Sequence, residues 1–235
     1  MDILLRKLDF FSYPELFFIF LLENLIVCLL ALVFGHIVIK AYHHTVKHPT
    51  RKDILFCLVT VFINTIITLI GYILWKQNFI ILQFDLSLSI ITDLLILFLA
   101  MDFLMYIFHL LIHRTFLYKQ IHLLHHEAID PKPIDLFVLH PLETIGFGML
   151  WLILILVCPF NIYAIIIYLS LNVLFGVIGH LGFEPFSMNF LKNTPIIRFL
   201  GTSNFHHTHH REPDCNFGFY TNIWDKIFGT YQNKG

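Results

Sequence analysis

Apolar residues run along this chain in long stretches with few polar interruptions. Pro14 to Ile39 is broken only by Glu15, Glu23, Asn24 and His36, which at about 1.5 Å per residue is enough to cross a hydrocarbon layer of about 30 Å. Ile54 to Trp75 and Leu88 to His113 repeat that pattern. Thr144 to Cys158 and Ile162 to Ile178 are shorter and are separated by Pro159, Phe160 and Asn161. The pattern predicts three transmembrane helices followed by an apolar hairpin, for which two short crossing helices and a re-entrant loop are both open.

The polar stretches between the runs orient them. Lys40 to Asp53 gathers Lys40, Lys47, Arg51 and Lys52, whereas Lys76 to Ser87 holds one basic residue, so the first link is expected on the cytoplasmic side. Arg114 to Pro141 is polar enough to leave the bilayer, with Pro131 and Pro133 interrupting helix. From Phe183 to Leu200, large apolar residues alternate with Asn189, Lys192, Asn193 and Arg198. That stretch reads either as a helix along the membrane interface or as a packing segment of a small cap.

Composition agrees with this picture. Of 235 residues 57% are hydrophobic and 13% charged, the formal net charge is −1, and the mean hydropathy is +0.76. An ordinary soluble core is less apolar, and no basic cluster suggests nucleic acid as a partner. The expected fold is an all-α integral membrane protein of about four to five transmembrane or re-entrant helices with a cytosolic histidine-rich cap. The N-terminus lacks the short apolar region and small residues of a cleavable signal peptide, so the first run is expected to remain. Cys28, Cys57 and Cys158 sit in apolar runs and Cys215 stands alone, a distribution that predicts no disulfide framework and no CxxC metal site.

The candidate chemistry lies in the histidines. His109 and His113 are spaced i, i+4, while His122, His125 and His126 are spaced i, i+3, i+4, and His206, His209 and His210 repeat the second spacing. On a helix those steps return each side chain to within roughly 40–60° of one face, so the five imidazoles from His109 to His126 are expected to converge on one small volume. Neutral imidazole is the commonest protein ligand for transition metals, and an all-imidazole donor set suits iron, copper, nickel or zinc over magnesium or calcium. His43, His44 and His48 come close to box spacing but lie beside Pro49 among charges, and are read as loop residues. Asp102 lies seven residues, about two turns, before His109 and is expected to hydrogen-bond an imidazole and fix its tautomer.

In order and spacing, HxxxH (His109, His113), HxxHH (His122, His125, His126) and HxxHH (His206, His209, His210), followed by Asn216–Gly218 (NFG) and Trp224–Tyr231 (WDKIFGTY), resemble the fatty acid hydroxylase and sterol desaturase superfamily. The resemblance runs from about Asp102 to Tyr231. It implies two domains, residues 1–100 with the N-terminal transmembrane helices and residues 101–235 with the catalytic histidine boxes. It further implies a cage of two iron ions facing the cytoplasm, O2 as co-substrate, and hydroxylation or desaturation of a membrane lipid: a sterol, fatty acyl chain, ether lipid or carotenoid. The eight box histidines become the implied ligands. His180 in HLGFE and His140 in HPLE match further histidines of the family, the latter in the sterol-desaturase branch. Some relatives carry an HxxxH pair ending where His180 stands, but the earlier position here is Gly176.

Breaking an unactivated C–H bond requires an oxidant stronger than any side chain, hence a redox metal. Asp102 and Glu184 are expected to tune it. The chain carries no cytochrome, flavin or iron–sulfur motif, so a separate electron donor is implied: cytochrome b5-like, ferredoxin-like or a reductase. A bacterial inner membrane and an endoplasmic reticulum are equally compatible. The competing reading, a histidine-rich membrane metal-binding or transport protein, would place its ligands at mid-membrane.

Overall fold

The computed structural model describes residues 2–187, 194 and 197–232. A short N-terminal helix, α1 (Asp2–Lys7), precedes three long ones: α2 (Tyr13–Ala41), α3 (Arg51–Lys76) and α4 (Ser89–Arg114). A π-helical turn (Tyr118–His122) leads into the short α5 (Leu123–His126), and a 3-10 turn (Pro133–Phe137) precedes the hairpin of α6 (Pro141–Val157) and α7 (Ile162–Gly179). The chain ends with α8 (Ser203–Arg211) and α9 (Ile223–Phe228). Four helices, α2, α3, α4 and α7, are long and apolar enough to cross a membrane, so the all-α membrane fold is as the hydropathy predicts. Much of the amphipathic stretch expected between Phe183 and Leu200 falls outside the described residues.

Local signals set the helix ends. Ser12 and Glu15 form a capping box at the start of α2, and Thr50 with Asp53 does the same for α3, each meeting backbone N–H groups that have no partner within the helix. Apolar side chains such as Leu22, Leu29, Leu30 and Ile37 remain exposed along α2, as a lipid-facing surface requires.

One contact resolves the hairpin. Phe160 and Asn161, at the α6–α7 turn, pair in parallel with Leu82 and Gln83, in the link between α3 and α4. Asn161 also receives support from both sides, its N–H donating to Asp93 and its side-chain amide to the Asp85 carbonyl, each at 2.7 Å. The turn therefore reaches the same depth as the α3–α4 link, and the hairpin crosses rather than re-enters. The N-terminus of α6 and the C-terminus of α7 consequently lie on the face where α4 ends.

That face also carries the basic link after α2. Lys132 joins Asp53 and Asp135 at 2.9 Å each, and Lys52 pairs with Glu127. Asp130 meets Arg211 at 2.8 Å and His207 at 2.9 Å; these hydrogen bonds pull the exposed Asp130 carboxyl down to about 2. Pro133 packs against Gly35 of α2, where a Cβ would stand 2.6 Å from the proline ring.

Candidate metal centre

Four segments deliver imidazoles to this face. The last turns of α4 carry His109 and His113, the π turn with α5 carries His122, His125 and His126, His180 caps the end of α7, and α8 carries His206, His209 and His210. They sort into two groups, His109, His113, His122, His126 and His209 in one and His125, His180, His206 and His210 in the other, with the candidate ligand atoms of each group within 4.8 Å of one another. Thus the five imidazoles from His109 to His126 do not converge on one volume as the spacing suggested. The i and i+4 positions of each HxxHH box stay together, about 40° apart, while the histidine between them, about 100° from its neighbour, turns to the other group.

The nitrogen atoms face inward. His109 Nε2 lies 2.9 Å from His122 Nε2 and 3.2 Å from His113 Nε2, and His126 Nε2 lies 3.1 Å from His209 Nε2. In the second group His180 Nε2 is 3.4 Å from His125 Nε2 and 3.2 Å from His206 Nε2, which is 3.1 Å from His210 Nε2. For a metal–nitrogen bond of about 2.1 Å, cis ligand nitrogens stand about 3.0 Å and trans ones about 4.2 Å apart. The donor sets fit two transition-metal ions.

Backbone carbonyls fix the tautomers. His109 Nδ1–H donates to the Phe217 carbonyl at 2.8 Å, His209 to Cys215 at 2.7 Å and His180 to Gly176 at 2.7 Å. A carbonyl only accepts, so the proton sits on Nδ1 and the Nε2 lone pair points into the group. Lone pairs facing one another at such distances repel unless a cation or proton lies between them.

The closing motifs support this geometry. Asp225 of WDKIFGTY accepts the N–H groups of Phe217 and Gly218, both at 2.8 Å, and so holds the NFG turn whose carbonyl orients His109. Asn216 adopts a positive φ of 58°, tolerable for asparagine, and its side chain bonds the Phe205 and Gln232 carbonyls.

Three expectations are corrected. Asp102 bonds no imidazole: it accepts from Tyr220 N–H at 2.9 Å, Thr221 N–H at 3.1 Å, Trp224 Nε1–H at 3.0 Å and the Thr221 hydroxyl. It shares a rough helical face with His109, but the C-terminal segment reaches its carboxylate first. Glu184 accepts from Phe186 N–H and from Asn204 N–H at 3.0 Å, supporting the start of α8. His140 lies outside both groups and caps α6, its Nδ1 accepting from Leu142 N–H at 3.3 Å. The motif's other ionisable residue stands at the site instead: Glu143 Oε1 is 2.7 Å from His122 Nδ1. Its position in HPLE was the one available signal, and spacing alone gave it no ligand to serve. Gly176 fits closely, a Cβ there falling 2.5 Å from Leu136 Cδ1.

Burial keeps the cage neutral. Desolvation lowers the pKa of His122, His125, His206, His209 and His210 well below the ordinary imidazole value, lowers that of His180, and brings that of His126 to about 3. Neutral imidazoles are the form that binds metal.

Comparison with known proteins agrees. Residues 94–230, more than half of the chain, match the family model for fatty acid hydroxylase. Among similar proteins is Protein CER1-like 1 of Arabidopsis thaliana, 33% identical over 56% of this chain and 22% of its own length. A Dictyostelium discoideum protein provisionally named a methylsterol monooxygenase is 33% identical over 57% of this chain and 48% of its own. The Delta(7)-sterol 5(6)-desaturase of Leptosphaeria maculans is 27% identical over 56% of this chain and 34% of its own. The chain thus spans less than half the length of these relatives, and no solved structure matches it. Its helices, its histidine groups and this match together place the chain in the fatty acid hydroxylase family.

Proposed function

We propose that this protein is an O2-dependent membrane oxidoreductase that hydroxylates or desaturates a lipid, with two iron ions in the histidine cage. The observation that carries the reading is the sorting of nine imidazoles, eight of them buried, into two groups with their Nε2 atoms turned inward. Iron, when bound, supplies the redox chemistry with O2 that a C–H bond demands. The chain's own residues hold that metal pair. Carbonyls of Phe217, Cys215 and Gly176 keep His109, His209 and His180 in the tautomer that presents Nε2, and the buried position excludes water from the reacting centre.

The names of the relatives, a methylsterol monooxygenase and a sterol desaturase, support a sterol or other long-chain lipid as substrate. A substrate of that kind would enter from the bilayer, and the α6–α7 hairpin with residues 183–200 is the region we assign to its channel. Residues 1–100 then serve as the membrane-embedded part and 101–235 as the catalytic part. The cage lies on the face of the basic link, which the positive-inside rule assigns to the cytoplasm, of a bacterial inner membrane or an endoplasmic reticulum. A separate protein delivers the electrons. Ligands gathered at helix ends on one face favour this reading over transport.

The test is metal content per chain in detergent-purified protein, followed by lipid-product analysis with O2 and a chemical reductant. About two irons per chain and an oxidised lipid product are expected. A chain that takes up no metal would overturn the reading.

A further inference from the structure

Glu143 is nearly inaccessible, at 1% exposure, and so is its partner His122 at 2%. The two meet at 2.7 Å through Glu143 Oε1 and His122 Nδ1, while the second carboxylate oxygen, Oε2, is buried with no hydrogen-bond partner. Among the described residues no lysine or arginine forms an ion pair with Glu143. The His140 backbone also hydrogen-bonds this carboxyl, yet a buried carboxylate whose side-chain partner is a neutral imidazole is expensive, and its position makes sense beside a cation on the far side of that imidazole. In the five-imidazole group, His109 and His209 are oriented by carbonyls, whereas His122 alone is oriented by a carboxylate.

Resting on the metal-cage reading above, we propose that Glu143 is a positioning residue of the five-imidazole centre. Its carboxylate accepts the Nδ1 proton of His122, turns the Nε2 lone pair toward the metal, and makes that imidazole a stronger donor. Carboxylate–histidine–metal arrangements of this kind raise ligand basicity, and loss of the outer partner costs 10–100-fold in metal affinity. Among the described residues no carboxylate forms an ion pair with the four-imidazole group: His180 and His125 are served by the carbonyls of Gly176 and Val138. The two centres are therefore unequal in donor strength.

Glu143→Gln keeps the shape and a carbonyl acceptor while removing the charge. Metal-free wild type and E143Q would be titrated with cobalt(II) under anaerobic conditions, following the visible absorption of the bound ion with a competing chelator, and the melting temperature of each metal-free protein would be recorded. The expected result is that one of two cobalt sites weakens by about 10–100-fold, the other is unchanged, and the metal-free proteins melt alike. An unchanged titration overturns the proposal, and so does a weaker titration accompanied by a lower metal-free melting temperature, which would make Glu143 a structural residue. Glu143→Ala, lacking the acceptor, is expected to weaken the same site at least as far; weakening of the other site instead would also overturn it. Wild type that binds no cobalt would overturn the cage reading itself, so the two failures are told apart by which protein shows them.

Discussion

His125 and His126 are adjacent in the chain and belong to different imidazole groups. His126 Nε2 lies 3.1 Å from His209 Nε2, whereas His125 Nε2 lies 3.4 Å from His180 Nε2. Neighbouring side chains on a helix diverge by about 100°, so one short helix serves two centres, and α8 repeats the device with His209 and His210.

It follows that His126→Ala and His125→Ala each lower metal content from about two ions per chain to about one, from different centres. Turnover falls more than about 100-fold in both, since even the outer partners of metal ligands cost 10–100-fold. Elemental analysis checks this, with His140→Ala as the comparison expected to keep both ions. Loss of both ions from either single variant would show one cooperative site instead of two groups.

Asp102 is a fastener of the C-terminal segment. Asp102→Ala leaves the N–H groups of Tyr220 and Thr221 and the indole N–H of Trp224 without their acceptor, at about 1–3 kcal/mol for each buried donor. The metal-free protein should melt well below wild type, with tryptophan fluorescence following the unfolding. An unchanged melting temperature would show that these hydrogen bonds do not hold the C-terminal segment in place.

The N-terminal membrane helix packs closely against the turn that leads to the cage. Gly35→Ala puts a methyl 2.6 Å from Pro133 Cγ and 2.7 Å from its Cβ, and a proline ring cannot rotate away. Overpacking of this kind costs about 1–3 kcal/mol. The turn so displaced leads to Val138, whose carbonyl faces His125 Nδ1 at 3.4 Å, so metal should be lost first from the four-imidazole group. Full stability and full metal loading in this variant would show that the contact relaxes freely.

Acid should open the cage. His125, His126, His180, His206, His209 and His210 are held neutral by burial, with His126 at about 3, while unfolded imidazoles titrate near about 6.5. Above that pH neither state holds the proton and stability is complete. Below it the unfolded chain binds protons that the folded cage refuses, so stability is lost as pH falls toward the folded values, by up to about 1.4 kcal/mol per pH unit for each such group. Melting temperatures of the metal-free protein between pH 8 and pH 5 test this, and a flat profile would contradict the burial of the cage.

The membrane helices and the clustering histidines were legible in the sequence because both depend on local repetition. Apolar runs of bilayer length mark α2, α3 and α4 wherever they pack, and HxxxH or HxxHH brings imidazoles to one side of any helix that carries it. His180 was reached only through resemblance, since a single histidine has no spacing to mark it.

Tertiary structure decided how those parts are divided. Which histidines share a group, and which carboxylate faces one of them, depend on where α4, α5, α7 and α8 meet, and residues 108 positions apart are in contact there, as His109 and Phe217 are. Asp102, expected beside an imidazole, meets the C-terminal segment for this reason, and Glu143, for which the sequence suggested no role, stands beside His122. Periodicity fixes the direction of a side chain about its own helix axis, but a hydrogen bond also needs the partner that another helix brings to it.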